Sequence, residues 1–187
     1  MYNKAIFFDR DGVINKPIIL KGKPYAPKNF NEFHIYKYVY KCIKLVKKAG
    51  FLTFVVTNQP DVGNNLVDIE VVKNMNKTIQ DKLEIDEVFT CYHSQMVNCN
   101  CRKPNPYFLF LASKKYNINL KKSYIIGDRI SDIQTGLNAS CQTVFIDRKY
   151  KETNTLKKDI LNGVYEAKNL YKSVKHIMEL ENEKPQS

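Results

Sequence analysis

The chain has 187 residues, 43% of them hydrophobic and 12% aromatic. That is enough apolar surface for one globular core, and it excludes a disordered or low-complexity chain. With 7 Gly and 7 Pro, a collagen-like or linker protein is excluded as well. Lys and Arg number 30 against 19 Asp and Glu, a formal charge of +11. That balance directs attention to nucleic acid, a membrane surface or small phosphorylated molecules.

The start, Met1 to Asp9, does not read as a signal peptide, and no run of about 18 apolar residues could span a membrane. Ala5–Phe8 reads as a buried strand ending at Asp9. Lys16–Asn31 is a polar, proline-bearing stretch in which Gly22 and Pro24 suggest a shaped loop and Tyr25 could reach a site. Tyr36–Lys48 repeats apolar residues at helical steps and stops at Gly50; Phe51–Thr57 is a second strand, broken by Asn58-Gln59-Pro60. Helices follow over Asp68–Leu83, Pro106–Tyr116, Ser131–Leu137 and Leu170–Leu180, and strands over Glu87–Cys91, Ser123–Ile126 and Thr143–Ile146. Glu181–Ser187 is expected to be a polar tail.

Strands alternating with helices need crossover connections. The expected fold is therefore α/β: a single three-layer, Rossmann-like domain over residues 1–187, its parallel sheet covered by helices on both faces. Ligands in such sheets sit beyond the carboxyl ends of the strands. Three predicted strands end in polar chemistry there, at Asp9, Thr57-Asn58 and Asp128.

Asp9-Arg10-Asp11-Gly12 puts two carboxylates two residues apart on a turn. Like charges so close repel unless a cation or a proton is shared, and a hard cation such as Mg²⁺ suits an all-oxygen site. An isolated D-x-D-G is equally a polar turn capping a strand. Three further segments reach the same predicted edge, however: Thr57-Asn58, Arg102-Lys103 ahead of a helix, and Gly127-Asp128-Arg129-Ile130-Ser131-Asp132. A hydroxyl, an amide and paired cations all suit phosphate oxygens.

Asp9-Arg10-Asp11-Gly12-Val13, Val56-Thr57-Asn58-Gln59, Arg102-Lys103-Pro104 and Gly127–Asp132 together resemble the haloacid dehalogenase superfamily of phosphotransferases. The resemblance implies that Asp9 is the nucleophile and carries an aspartyl-phosphate, and that Asp11 is the general acid and then the base. It implies that Thr57 and Lys103 hold the phosphoryl oxygens. It also implies Mg²⁺ bound by the Asp9 carboxylate, the Asp11 backbone carbonyl and Asp128, with Asp132 supporting that shell or orienting Arg129.

Cys91, His93, Cys99 and Cys101 form a C-x-H-x5-C-x-C run within eleven residues, 91–101. That density of thiolates and imidazole fits a closed tetrahedral Zn²⁺ site of the Cys₃His kind, pinning the loop that delivers Arg102 and Lys103. Cys42 and Cys141 are expected in the core, and an odd cysteine count without a secretory signal points to a reducing cytoplasm. His34 and His176 are assigned surface or packing roles, and the scattered lysine pairs read as solvated.

The zinc loop narrows the resemblance to the D-glycero-D-manno-heptose 1,7-bisphosphate 7-phosphatases and the related histidinol-phosphate phosphatases, which lack a large cap domain. By that resemblance Arg102 and Arg129, with Thr57, Asn58 and Lys103, bind substrate. The substrate is then a small phosphorylated sugar used in making activated heptose for bacterial surface polysaccharide. A monomer is expected, with neither membrane nor nucleic acid as partner. Histidinol phosphate, a nucleic-acid 3′-phosphate and a non-catalytic basic binding role are the alternatives; retention of Asp9, Asp11, Lys103 and Asp128 argues against the last. One departure stands out: Gly63-Asn64-Asn65 occupies a place where relatives carry a small residue followed by Arg-Gly.

Overall fold

The structure, a computed structural model, describes residues 2–151 and 160–183. Strand β1 (Lys4–Phe8) is buried on both sides, and its side chains divide by alternation. Ile6 and Phe8 enter one apolar cluster while Ala5 and Phe7 enter the opposite one. A continuous apolar run is what a central parallel strand requires, because both of its faces are covered.

Beyond β1 come a hairpin of β2 (Ile18–Leu20) and β3 (Lys23–Tyr25), then helix α1 (Val39–Lys48) and strand β4 (Phe51–Asn58). A short helix α2 (Pro60–Gly63) precedes α3 (Ile69–Leu83) and β5 (Glu87–Cys91). Next are α4 (Tyr107–Tyr116), β6 (Tyr124–Gly127), α5 (Ile130–Asn138), β7 (Gln142–Ile146), β8 (Tyr165–Ala167) and α6 (Leu170–Glu183). The six-stranded sheet has the order β5-β4-β1-β6-β7-β8, and every pairing in it is parallel.

Helices α1, α3 and α6 cover one face, burying Ile43, Met75 and Val174 against Ile6, Phe8 and Val55. On the other face α4 buries Leu109 and Ala112 against Phe7 and Phe54, whose rings stack at 5.3 Å. Each fully buried Phe contributes roughly 1.5–3 kcal/mol. Helix α5 lies on that second face too: a Cβ at Gly136 would sit 2.3 Å from Ile125.

From β1 the chain goes first to β4 on one side and later to β6 on the other. The crevice at such a switch point is where an open α/β sheet binds ligand, and it places Asp9 at that point.

Most predicted elements are found within a few residues of their expected ends, and three differ for physical reasons. Lys16–Asn31 contains the β2–β3 hairpin, whose central Lys21 and Gly22 both have positive φ, 51° and 81°. That is the two-residue turn that suits strand twist, and arms of three residues are too short for a periodic signal. Tyr36 and Tyr38 stay outside α1 as a stacked pair at 5.2 Å. Finally, Glu181–Glu183 is not tail but the last turn of α6. Glu181 is held there by Lys4 at 2.7 Å and by the Tyr124 hydroxyl at 2.9 Å. The remainder of the expected tail lies outside the described residues. No large cap interrupts the described chain.

Candidate active site

Asp9 leaves the end of β1 and is tied to the sheet by its N–H, which donates to the Ile126 carbonyl at 2.9 Å. Its Oδ1 accepts from Lys103 Nζ at 2.5 Å; the same ammonium lies 2.6 Å from Asp132 Oδ1 and donates to the Val56 carbonyl at 2.8 Å. Burial would strip the proton from Lys103, but the Asp132 and Asp9 charges outweigh it and keep the ammonium charged. Burial lifts Asp9 to about 6 even against Lys103, and Asp132 and Asp11 add to the rise. Asp128 is pushed well above the ordinary carboxylate range by burial and then by Asp9 and Asp132.

Asp9, Asp128 and Asp132 each offer a carboxylate oxygen within 4.8 Å of the others. One buried ammonium cannot neutralise three carboxylates, and Asp128 Oδ1 is buried with no hydrogen-bond partner. An all-oxygen donor set with an orphaned buried oxygen fits a hard divalent cation. Asp132 also accepts from the Arg129 N–H at 3.0 Å, capping α5. It therefore lies in this cluster and fixes the backbone at Arg129.

Asp11 is held differently. Arg10 donates to its carboxylate through Nε and NH2 at 3.1–3.2 Å, Asn15 Nδ2 to Oδ1 at 2.8 Å, and Gln59 Nε2 to Oδ2 at 2.7 Å. Gln59 also donates to Thr57 Oγ1 at 2.8 Å, which leaves the Thr57 hydroxyl proton for another acceptor. Gly12 makes the turn possible: its φ is +101°, and a Cβ there would lie 1.7 Å from Asp128 Oδ2.

These groups line a cleft of about 220 Å³ with Asp9, Asp11, Thr57, Lys103 and Arg129 in its wall. Tyr25 and Pro24 of the hairpin close one side, and Arg129 donates to the Pro24 carbonyl at 2.6 Å.

Two residues sit elsewhere than their expected contacts. Arg102 does not line the cleft; its guanidinium donates to the carbonyls of His93 and Gln95, each at 3.2 Å, and to that of Ser94. Three backbone carbonyls of the 91–101 loop thus take up its donors. Asn58 is at the wall, but its amide is spent on Lys103, accepting from the backbone N–H at 3.1 Å and donating to the carbonyl at 3.2 Å. Arg10 is fully buried beneath Asp11, with NH1 on Asn76 Oδ1 at 3.0 Å.

Tyr150, Arg148 and Asn76 were not singled out by sequence, and Gln59, though part of a motif, carried no assigned role. The first two follow β7 at the same carboxyl edge, and that position was the available signal. Arg148 donates to the Gly12 carbonyl through Nε at 2.9 Å and lies over the Tyr36 ring.

Cys91, His93, Cys99 and Cys101 converge as the spacing predicts. Sulfur–sulfur separations are 3.6 and 3.8 Å, and the sulfur–Nδ1 separations to His93 are 3.3 and 3.6 Å. A tetrahedral Zn²⁺ would set these edges at about 3.8 and about 3.5 Å, so the donors fit it. Gly63 lets α2 lie against this loop, since a Cβ there would meet Ser94 N at 2.2 Å. Asn64 Nδ2 donates to Gln95 Oε1 at 2.7 Å, and Asn65 takes a left-handed φ of 57°. In Gly63-Asn64-Asn65 the Asn64 amide is thus bonded to the 91–101 loop. Cys42 and Cys141 are core residues, and His176 stacks on Tyr165. No helix among the described residues is long and apolar enough to cross a membrane.

An aspartate at the switch point, a second on the following turn, and a lysine and two acids from two later segments define a haloacid-dehalogenase-like phosphatase. A family model described as HAD-hydrolase-like matches residues 100–173. The D-glycero-beta-D-manno-heptose-1,7-bisphosphate 7-phosphatase of Helicobacter pylori is 34% identical over 143 residues, 73% of this chain and 79% of the relative. The alpha-anomer counterpart of Campylobacter jejuni is 30% identical over 173 residues, covering 87% and 96%. Among solved structures, the D,D-heptose 1,7-bisphosphate phosphatase of B. bronchiseptica, complexed with magnesium and phosphate, aligns with a TM-score of 0.79 at 22% identity. It covers 95% of this chain and 99% of that one. The chain belongs to the heptose-1,7-bisphosphate 7-phosphatase family of haloacid-dehalogenase-like hydrolases, and it is a phosphoric monoester hydrolase.

Proposed function

We propose that the chain removes the 7-phosphate of D-glycero-D-manno-heptose 1,7-bisphosphate through a phosphoryl group carried on Asp9. The observation that carries this reading is the buried Asp9–Lys103–Asp132 arrangement beside the unpartnered Asp128 Oδ1. It pairs a nucleophile with fixed positive charge at one edge, and the names of the relatives supply the substrate.

An Asp9 oxygen forms a bond to phosphorus as the bond from phosphorus to the sugar oxygen breaks. Asp11 gives that oxygen its proton. A water oxygen then attacks phosphorus, Asp11 takes the water's proton, and Asp9 leaves as a carboxylate. The donors from Arg10, Asn15 and Gln59 fix Asp11 so that one carboxyl serves both transfers. Lys103 and the Thr57 hydroxyl meet the phosphoryl oxygens, and Arg129, in the cleft wall, meets the substrate away from the reacting phosphorus. Mg²⁺ held by Asp9, the Asp11 carbonyl and Asp128 would supply positive charge against the transferring group. Zn²⁺ at Cys91, His93, Cys99 and Cys101 would be structural, fixing the loop that ends in Arg102-Lys103. A monomer in a reducing cytoplasm is the expected setting, since thiols must stay reduced to hold a metal.

Phosphate release from both anomers of heptose 1,7-bisphosphate, from histidinol phosphate and from a 3′-phosphorylated oligonucleotide tests the assignment. A heptose bisphosphate should have the highest kcat/KM; a win for either other substrate would overturn it.

A further inference from the structure

The segment after β7 reaches the catalytic edge at three points. Arg148 NH2 donates to the Gly12 carbonyl at 2.6 Å, and the Lys151 N–H donates to the carbonyl of Gly22, in the hairpin turn, at 3.1 Å. Between them the Tyr150 hydroxyl donates to Asp128 Oδ2 at 2.7 Å. Tyr150 is 4% exposed, Asp128 is fully buried, and Tyr150 does not line the cleft, so it cannot itself meet substrate.

The two oxygens of Asp128 are therefore unequal. Oδ2 is occupied by the phenol, while Oδ1 is buried with no hydrogen-bond partner and belongs to a carboxylate clustered with Asp9 and Asp132. A carboxylate turns readily about its terminal torsion, so which oxygen faces the cluster has to be set by a neighbour. The Tyr150 hydroxyl is the donor placed to set it. Space is tight enough to hold the pair: a Cβ at Gly12 would lie 1.7 Å from Asp128 Oδ2 and 3.0 Å from the Tyr150 oxygen.

We propose that Tyr150 is a positioning residue for the divalent cation, its hydroxyl fixing the Asp128 carboxylate so that Oδ1 is the oxygen presented to the metal. The proposal rests on the reading of Asp128 as a metal ligand. Outer partners of ligating carboxylates typically hold orientation in this way, and their loss weakens metal binding by roughly 10–100-fold.

Calorimetric titration of Mg²⁺ into wild-type and Tyr150→Phe protein, each holding its zinc but stripped of Mg²⁺, reads this directly. Tyr150→Phe keeps the ring and removes only the hydroxyl. Its Kd for Mg²⁺ should rise by roughly 10–100-fold while the melting temperature without Mg²⁺ stays near that of the wild type. Phosphatase activity of the variant should recover as Mg²⁺ is raised, which a packing defect would not allow. An unchanged Kd, a kcat loss that excess Mg²⁺ does not restore, or a variant that fails to fold would each overturn the proposal. Wild-type protein that binds no Mg²⁺ would instead overturn the metal reading of Asp128.

Discussion

The aspartate cluster at the end of β1 and the cysteine–histidine cluster of residues 91–101 flank Lys103 and are built in opposite ways. The first draws Asp9, Asp128 and Asp132 from segments more than a hundred residues apart, buries all three, and includes a cation of its own in Lys103. The second takes four ligands from eleven consecutive residues, and only Cys91 is fully buried. A sheet holds the aspartates whether or not a cation is bound. Cys91 ends β5, but His93, Cys99 and Cys101 lie on irregular chain, and the side-chain neighbours of the thiols are chiefly one another. Removing metal from the two places should therefore have different consequences: reversible loss of function at the aspartates, and loss of local structure at the loop.

The sharpest break in the aspartate cluster is Asp9→Asn. Phosphate release should fall by about 10⁴-fold or more, since a covalent step is lost, while the melting temperature is kept or raised. Appreciable residual turnover in a stopped assay would remove the nucleophile assignment. Lys103→Met comes next. It leaves Asp9 and Asp132 buried without their counter-charge, and chemical denaturation should show a loss of roughly 3–5 kcal/mol. An unchanged denaturation midpoint would contradict the arrangement.

At the zinc loop, stripping with a strong chelator should lower kcat/KM on the order of 10²-fold, the effect of displacing a positioned group by about 1 Å. Hydrogen exchange should rise across residues 91–103, and Zn²⁺ rather than Mg²⁺ should restore both. Elemental analysis finding no zinc in protein purified without chelator would remove this half of the comparison.

The smallest effect concerns pH. Asp9 is raised from 3.8 to about 6 by burial, so between those values the folded chain holds a proton that the unfolded chain releases. Without Mg²⁺, the contribution of Asp9 to stability should be full below about pH 4 and be lost as pH rises through about 6. Mg²⁺ should flatten that decline in thermal melts, because the cation replaces the proton. A stability curve that rises over this window, in metal-free protein, would run against the cause assigned to the shift.

Much of this was legible in sequence because the chemistry follows strand ends. Asp9, Thr57 and Asp128 each come directly after an apolar run, and a parallel sheet brings such ends to one edge. The zinc loop was legible because its ligands are local. What could not be read is where long side chains turn. Arg102 looked like a substrate cation, yet it is consumed by carbonyls of the 91–101 loop, and Arg10 is buried against Asp11 and Asn76. Tyr150 was hidden for the same reason, its hydroxyl acting on a residue 22 positions away. Strand β8 escaped notice because three residues, only Ala167 of them buried, leave no periodic signal.

The central claim is that the phosphoryl group passes through Asp9 in two in-line displacements. It is tested most directly with the 7-phosphorothioate analogue of heptose 1,7-bisphosphate, chiral at phosphorus through sulfur and two oxygen isotopes and hydrolysed in water carrying the third. Two displacements predict net retention of configuration at phosphorus. Net inversion would mean that water attacks in one step, and would contradict the role given to Asp9.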